Sequence, residues 1–264
     1  MANRNGLNHK VRGVKGVGWN RALPAAFGFG NGIKPDGIND YMDVPRLVNY
    51  VLPDKLTIEL WLYKDITINN GYIFSIYDDL KDATLNFNTN GSARLLRFDS
   101  QSGGLVGQSY WPESEDGLKA HCVWCIDKVE NYSKFYLNGY LMSTMSSIAA
   151  YAPNYIKSIN FFRYYTGTLN SNALVDEFRI YSKVLREDQI VINYNSGVGN
   201  NPCVTEYLLL WYNFDKIESL DFSPLLDKSL IGNGVRDLSG NDNHARLFNM
   251  DVTPTSSSFV LKPF

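Results

Sequence analysis

Residues 174–190, LVDEFRIYSKVLREDQI, join a strand to a helix. The first part belongs to ALVDEFRIYS (173–182), which reads as a strand. The second opens a helix over 185–195, in which Leu185, Ile190 and Tyr194 lie close to one side. Gln189 and Asn193 fall on the side expected to be exposed. Glu187 and Asp188 occupy the first turn, where the helix dipole favours acids, and Gly197 supplies the stop. Arg186 stands where a capping Ser would be usual, an omission that costs about 1 kcal/mol.

Around this unit the chain is a succession of short strands. KLTIELWLYKD (55–65) alternates, with Ile58, Leu60 and Leu62 on one face and Thr57, Glu59, Trp61 and Tyr63 on the other. GYIFSIYD (71–78), ATLNFNTNG (83–91) and ARLLRFDS (93–100) follow, and Asn90-Gly91 predicts a hairpin between the last two. AHCVWCID (120–127) precedes SKFYLNGYLMST (133–144), where Asn138-Gly139 predicts another tight hairpin. IKSINFFRYY (156–165) and the late, strongly apolar EYLLLWYNFD (206–215) complete the set. Many evenly spaced strands with one short helix predict a sandwich or jelly roll.

Composition sets the outer limits. A chain of 264 residues, 44% hydrophobic and 20% charged, holds enough apolar material for a two-layer core. A formal charge of −2 gives no reason to expect nucleic acid or an anionic membrane as partner. No apolar run reaches the roughly 20 residues of a membrane helix, so membrane insertion is not expected, and the first residues do not read as a secretory signal. Cys122 and Cys125 lie three apart on one strand and point to opposite faces, so they read as buried thiols rather than a metal or redox pair.

Residues 1–26 form a basic, Gly-rich segment; no Asp or Glu occurs before Asp36. It reads as an arm. One reading is a solvated tail. The other is an arm that orders on an acidic partner surface, a neighbouring copy or a larger assembly, with Trp19, Leu23 and Phe27 as apolar anchors.

Several segments together resemble the concanavalin A-like lectin/glucanase superfamily, specifically its laminin-G-like, pentraxin-like jelly rolls. Gly37, Asp40, Tyr41, Val44 and Pro45 carry a pattern similar to F-x-G-x-x-D-Y-x-x-V/I-P. LTIELWLY, the pair AHCVWCID and SKFYLNGYLMST, and the strand–helix unit quoted above follow in family order. The resemblance implies an all-β, antiparallel two-sheet jelly-roll sandwich with one short helix, occupying residues 27–264 as a single domain. The family usually begins with L-x-x-x-Y-x-F-D and then D-x-S-G-N-x-N-H-A; here Leu210, Tyr212, Phe214 and Asp215, then Asp237 to Ala245, come last. A circularly permuted sandwich explains this order, with residues 203–264 supplying the first strands. A truncated second copy is the alternative. Permutation predicts that the strands flanking residues 234–249 pair near residues 27–45, with Asp237 close to Asp40.

The resemblance also implies candidate sites. A structural Ca²⁺ near the opening turn would take hard oxygen donors from Asp36, Asp40, Asp176, Asp237, Asn241 and Asp242. Asp and Asn at such positions equally serve to cap their own turns. Carbohydrate binding needs aromatic platforms with polar partners, offered by Tyr110 and Trp111 in one loop and by Arg163, Tyr164 and Tyr165 in another. Packing under their own loops is the competing role for these rings. No E-x-D-x-x-E strand of the glucanase type occurs and no histidine has a Ser or Cys partner in sequence, so no enzymatic activity is expected. The expected function is a lectin-like virion component, a bacteriophage fibre or decoration protein assembled in the host cytoplasm, which docks or self-associates through the arm and faces bacterial glycans. The alternative is a soluble carbohydrate-binding module of a cellular adhesion or polysaccharide-handling system, exported non-classically.

Overall fold

The computed structural model describes residues 30–100, 104–149, 152–222, 231–254 and 260–264; the basic arm lies outside the described residues. In chain order the strands are β1 (Asn31–Ile33), β2 (Tyr41–Asp43), β3 (Lys55–Tyr63), β4 (Gly71–Asp78), β5 (Ala83–Asn90) and β6 (Leu95–Ser100). Next come β7 (Gly104–Tyr110), β8 (Lys119–Asp127), β9 (Tyr132–Leu137), β10 (Tyr140–Ser146), β11 (Ser158–Phe161) and β12 (Val175–Tyr181). Helix α1 (Glu187–Tyr194) precedes β13 (Leu208–Tyr212), β14 (Glu218–Asp221), β15 (Ile231–Val235), β16 (Ala245–Phe248) and β17 (Leu261–Pro263).

These strands form two antiparallel sheets, ordered β10-β9-β8-β3-β12-β1-β17, with β13 also on β12, and β14-β15-β16-β2-β11-β4-β5-β6-β7. The core lies between them. Ile58, Leu60 and Leu62 face inward as the alternation predicts. Phe178 of β12 meets Phe74 and Phe161 of the opposite sheet edge-on, at 5.5 and 4.7 Å between ring centres. Phe98 meets Trp124 at 4.7 Å. Cys122 joins this core, whereas Cys125 joins a second cluster under the helix, so the two thiols do face opposite sides.

The last part of the chain completes both sheets. Residues 246–248 of β16 pair with 43–41 of β2, β13 pairs with β12, and β17 pairs with β1. The strand neighbours expected of residues 234–249 are therefore present.

The other face of the eight-stranded sheet is also covered, and here the helix differs from its sequence reading. Gln189 and Asn193 are buried, while Val191 and Ile192 are about half exposed. The cause is a polar demand beneath the helix. Glu59 projects from β3 and is fully buried, with Arg179 Nη1 at 3.1 Å and His121 Nε2 at 2.8 Å from its Oε1. Asn193 Nδ2 donates to Glu59 Oε2 at 2.8 Å and to the Tyr181 hydroxyl at 3.1 Å. A buried carboxylate needs partners more than Val191 needs burial, so the polar side of α1 turns inward. Where a Ser cap is missing, the Arg186 N–H is instead met by Gln189 Oε1 at 3.0 Å.

Two turns show what a dipeptide pattern can and cannot fix. Asn138 and Gly139, with φ of 52° and 80°, make the predicted two-residue connection from β9 to β10. The hairpin predicted at Asn90-Gly91 is longer: Asn90 pairs with Leu95, leaving residues 91–94 as the connection. Gly91 serves close approach instead, since a Cβ there would stand 2.4 Å from the Asp65 carbonyl oxygen.

Candidate functional site

The side of the nine-stranded sheet away from the core carries an unbroken polar ladder, partly exposed at Arg246 and Asp43 and buried at Asn160, Ser75, Asn86 and Asp99. Directly opposed residues across six strands are Arg246 and Asp43, Asp43 and Asn160, Asn160 and Ser75, Ser75 and Asn86, and Asn86 and Asp99. The period of two along each strand places them on the side away from Met42, Phe74, Phe87, Phe98 and Phe161 of the core. Arg246 grips Asp43 through two hydrogen bonds of 3.1 and 2.6 Å. Ser75 donates to Asn86, Asn86 donates to Asp99 at 2.9 Å, and Asn88 donates to the other Asp99 oxygen at 2.6 Å. Burial pushes the Asp99 carboxyl above its usual range, while the Asn86 bond, the Arg97 charge and the Asn88 bond oppose this.

Aromatic side chains flank the ladder, and the loop after β11 supplies several of them. The strand expected over 156–165 stops at Phe161, because Phe162 takes a left-handed φ of 65° and turns the chain back over the sheet. Leu169 closes the loop with φ of 54°. Two bulky residues in this region store strain of about 1–2 kcal/mol each, a feature that concentrates where a loop is held for a purpose. Tyr164 and Thr168 are joined through their backbones, and the Tyr72 N–H donates to the Leu169 carbonyl. Tyr165 stacks on Tyr77 at 4.0 Å and 9° between ring planes, and Tyr164 lies 4.6 Å from Tyr72. Burial raises the pKa of Tyr164 and Tyr72, aided by other groups including Asp99, so both hydroxyls keep their protons. At the other end Tyr41 stacks on Phe248 at 4.3 Å, with Arg163 Cζ 3.2 Å from the Tyr41 ring centre. Arg163 Nε and Nη2 both donate to Asn160 Oδ1.

Of the residues anticipated as ligand contacts, Arg163, Tyr164 and Tyr165 thus come together on this face. Tyr110 and Trp111 do not join them. Tyr110 is exposed at the end of β7, but Trp111 is only 2% exposed, packs into the core and donates through Nε1 to Asp116 Oδ1 at 2.8 Å. A ring so placed offers no platform, which corrects its assignment. Tyr41, Tyr72, Tyr77, Phe248 and Arg246 complete the face. Their outward alternation on short strands was available as a signal, but the partners that bring them together are distant in sequence.

The six residues anticipated as calcium ligands lie in three places. Asp36 Oδ1 accepts the N–H groups of Ile38, Asn39 and Asp40, and Asp40 Oδ2 accepts that of Asp36. Burial pushes the Asp40 carboxyl up to about 6, the Asp36 N–H opposing and the charges of Asp36 and Asp251 adding. Asp237 accepts from the Trp211, Ser239 and Asn243 N–H groups and from the Ser239 hydroxyl. Asn241 donates to the Leu208 and Leu209 carbonyls, and Asp242 is exposed next to it. Asp176 is buried on β12, with one oxygen accepting the Glu177 N–H. Phe248 pairs with Tyr41 while Ala245 pairs with Val235, so Asp40 and Asp237 sit beyond opposite ends of β16, which by itself spans about 10 Å at the usual rise per strand residue. The expected proximity of Asp237 to Asp40 is thereby corrected, and one centre is not assembled from the six. Among the described residues no group of three or more His, Cys, Asp or Glu side chains is placed to hold a metal ion.

A model of the Laminin_G_3 family, described as the concanavalin A-like lectin/glucanases superfamily, matches residues 36–191, more than half of the chain. The chain belongs to this family. The match spans from the Asp36 turn to helix α1, and so takes in the ladder from Asp43 to Asn160 and the loop that carries Arg163, Tyr164 and Tyr165. Among solved structures, this laminin-G-like chain is similar to a putative carbohydrate binding protein from Bacteroides ovatus ATCC 8483, with a TM-score of 0.60 and 16% identity. The similarity covers 82% of this chain and 57% of that one, so the chain spans little more than half of that structure's length. A native heptameric SAP-like pentraxin from Limulus polyphemus matches with a TM-score of 0.48 and 14% identity, over 66% of this chain and 84% of that one. No curated protein matches the sequence.

Proposed function

We propose that the protein is a carbohydrate-binding module whose ligand lies on the outer face of the nine-stranded sheet. The observation that carries this reading is the meeting of half-buried tyrosine rings with an ordered polar ladder. Apolar sugar faces stack on aromatic rings, and hydroxyls take directional bonds from the partly exposed Asp43, Arg97, Arg163 and Arg246, which their partners in the ladder hold in place. Tyr164 and Tyr165 are fixed by ring contacts to Tyr72 and Tyr77, and the loop carrying them is closed on itself, so little ordering cost remains for binding. The carbohydrate-binding description of the B. ovatus protein, whose fold this chain shares, agrees with the reading.

A glycan microarray tests it. The wild-type chain is expected to bind a subset of glycans, and Tyr164→Ala with Tyr165→Ala to lose at least about tenfold, as removal of about 1.4 kcal/mol of stacking gives. Undiminished binding by the double variant would move the site elsewhere, and an array without any bound glycan would reject the reading.

A further inference from the structure

The ladder face has a surplus cation. Three arginines lie on it. Arg246 is paired with Asp43 at 2.6 Å, and Arg97 Nε lies 3.2 Å from Asp99 Oδ2. Arg163 is paired with no carboxylate among the described residues. Its guanidinium rests flat enough on Tyr41 to bring Cζ to 3.2 Å from the ring centre, and two of its nitrogens are turned to the neutral Asn160. This leaves the Nη1 edge without a partner among the described residues. The guanidinium is therefore held from two sides, by a ring and by an amide, in a fixed orientation at the lip of the strained loop. An arginine so ordered, without a counter-charge of its own, presents a fork that matches a carboxylate.

We propose that the ligand is an acidic glycan whose sugar carboxylate is bound by Arg163, while the sugar rings lie toward Tyr164 and Tyr165. The inference rests on the carbohydrate-binding reading above and names the class of sugar. The tyrosines supply stacking that any pyranose would accept. Arg163 adds discrimination, because a neutral sugar leaves its charge unanswered. The selectivity is then for polyuronates over neutral glucans of the same linkage. The ring beneath Arg163 also makes lysine a poor substitute, since an ammonium is neither planar nor bidentate.

The test uses alginate, polygalacturonate and hyaluronan, each beside its carboxyl-reduced neutral counterpart, with the full chain and its Arg163→Gln and Arg163→Lys variants. The side chain of Arg163 is partly exposed and its hydrogen bonds go to one neutral amide, so melting temperatures should stay within a few degrees of wild type. At least one polyuronate is expected to bind, with a loss of tenfold or more on carboxyl reduction. Arg163→Gln should lose a similar factor on the acidic form and almost nothing on the reduced form, and Arg163→Lys should recover only part. Equal binding of acidic and reduced forms, or an Arg163→Gln variant that keeps the acidic preference, would overturn the proposal. If binding is to neutral glycans alone and is lost in Tyr164→Ala, the acidic class is wrong and the carbohydrate-binding reading stands. If neither series binds, both are wrong.

Discussion

Glu59 stands alone on its strand in sequence, yet it is the residue on which the helix-covered face depends. Burial by itself would raise its pKa, but the Arg179 guanidinium, His121 and Asn193 together outweigh burial and hold the carboxyl down at about 2. A carboxyl depressed below its ordinary value of 4.5 adds stability that is present above that pH and lost as pH falls towards 2. Denaturant melts between pH 5 and 2 should therefore show a stability loss that is smaller in Glu59→Gln. At pH 7 the same substitution should cost about 3–5 kcal/mol, because Arg179 is left buried with one partner fewer. A Glu59→Gln variant as stable as wild type at pH 7 would show that the pair is not ionised. None of this could be read from the sequence. The alternation correctly placed Glu59 opposite Leu60, but a period of two says only which face a residue takes, not whether a helix later covers that face. Asn193 was misread for the same reason. A polar residue on a helix is exposed by default and buried only when a carboxylate waits beneath it.

The loop between Phe162 and Leu169 shows the same limit for elements. IKSINFFRYY has the composition of one long strand, and nothing in it announces the left-handed turn at Phe162. The turn is imposed by the sheet: the Phe162 N–H donates to the Ile73 carbonyl and its carbonyl accepts the Ser171 N–H. Leu169 tests this strain cleanly, because its side chain is half exposed and its φ is 54°. Leu169→Gly should be neutral or stabilising by up to about 1 kcal/mol, and Leu169→Ile destabilising by about 1 kcal/mol. Thermal melts of the two variants decide it, and a loss of several degrees in the glycine variant would count against a strained loop. Elements defined by a complete local signal were legible: the Asn138-Gly139 hairpin, the Cys122 and Cys125 strand, and the strand–helix unit at 174–190. The Asn90-Gly91 dipeptide suggests a turn, whereas Gly91 is required by the backbone of residues 65–68 pressing on it.

For the whole molecule, the order of segments was legible and their distances were not. The resemblance of residues 234–249 to an opening segment predicts strand pairing near residues 27–45, and residues 246–248 do pair with 41–43. It also predicted Asp237 beside Asp40, and there the register intervenes, because neighbouring strands can share an edge while their loops lie at opposite ends. A chain ending at residue 202 would lack β13 to β17, leaving β1, β2 and part of β12 with open edges. Such a truncation should show no cooperative unfolding transition by circular dichroism, and a sharp transition would show that residues 203–264 are an appendage. The candidate site was half legible. Arg163, Tyr164 and Tyr165 stood out as a polar–aromatic cluster, but the ladder of Asp43, Asn160, Ser75, Asn86 and Asp99 is made by register across strands far apart in sequence. The ladder face is the surface proposed to bind a glycan. Hydrogen–deuterium exchange with and without a bound polysaccharide locates that surface. Slowed exchange is expected only at residues 41–43, 72–77, 86–99 and 160–169; protection confined to the helix-covered sheet, or to residues 107–117, would place the ligand elsewhere.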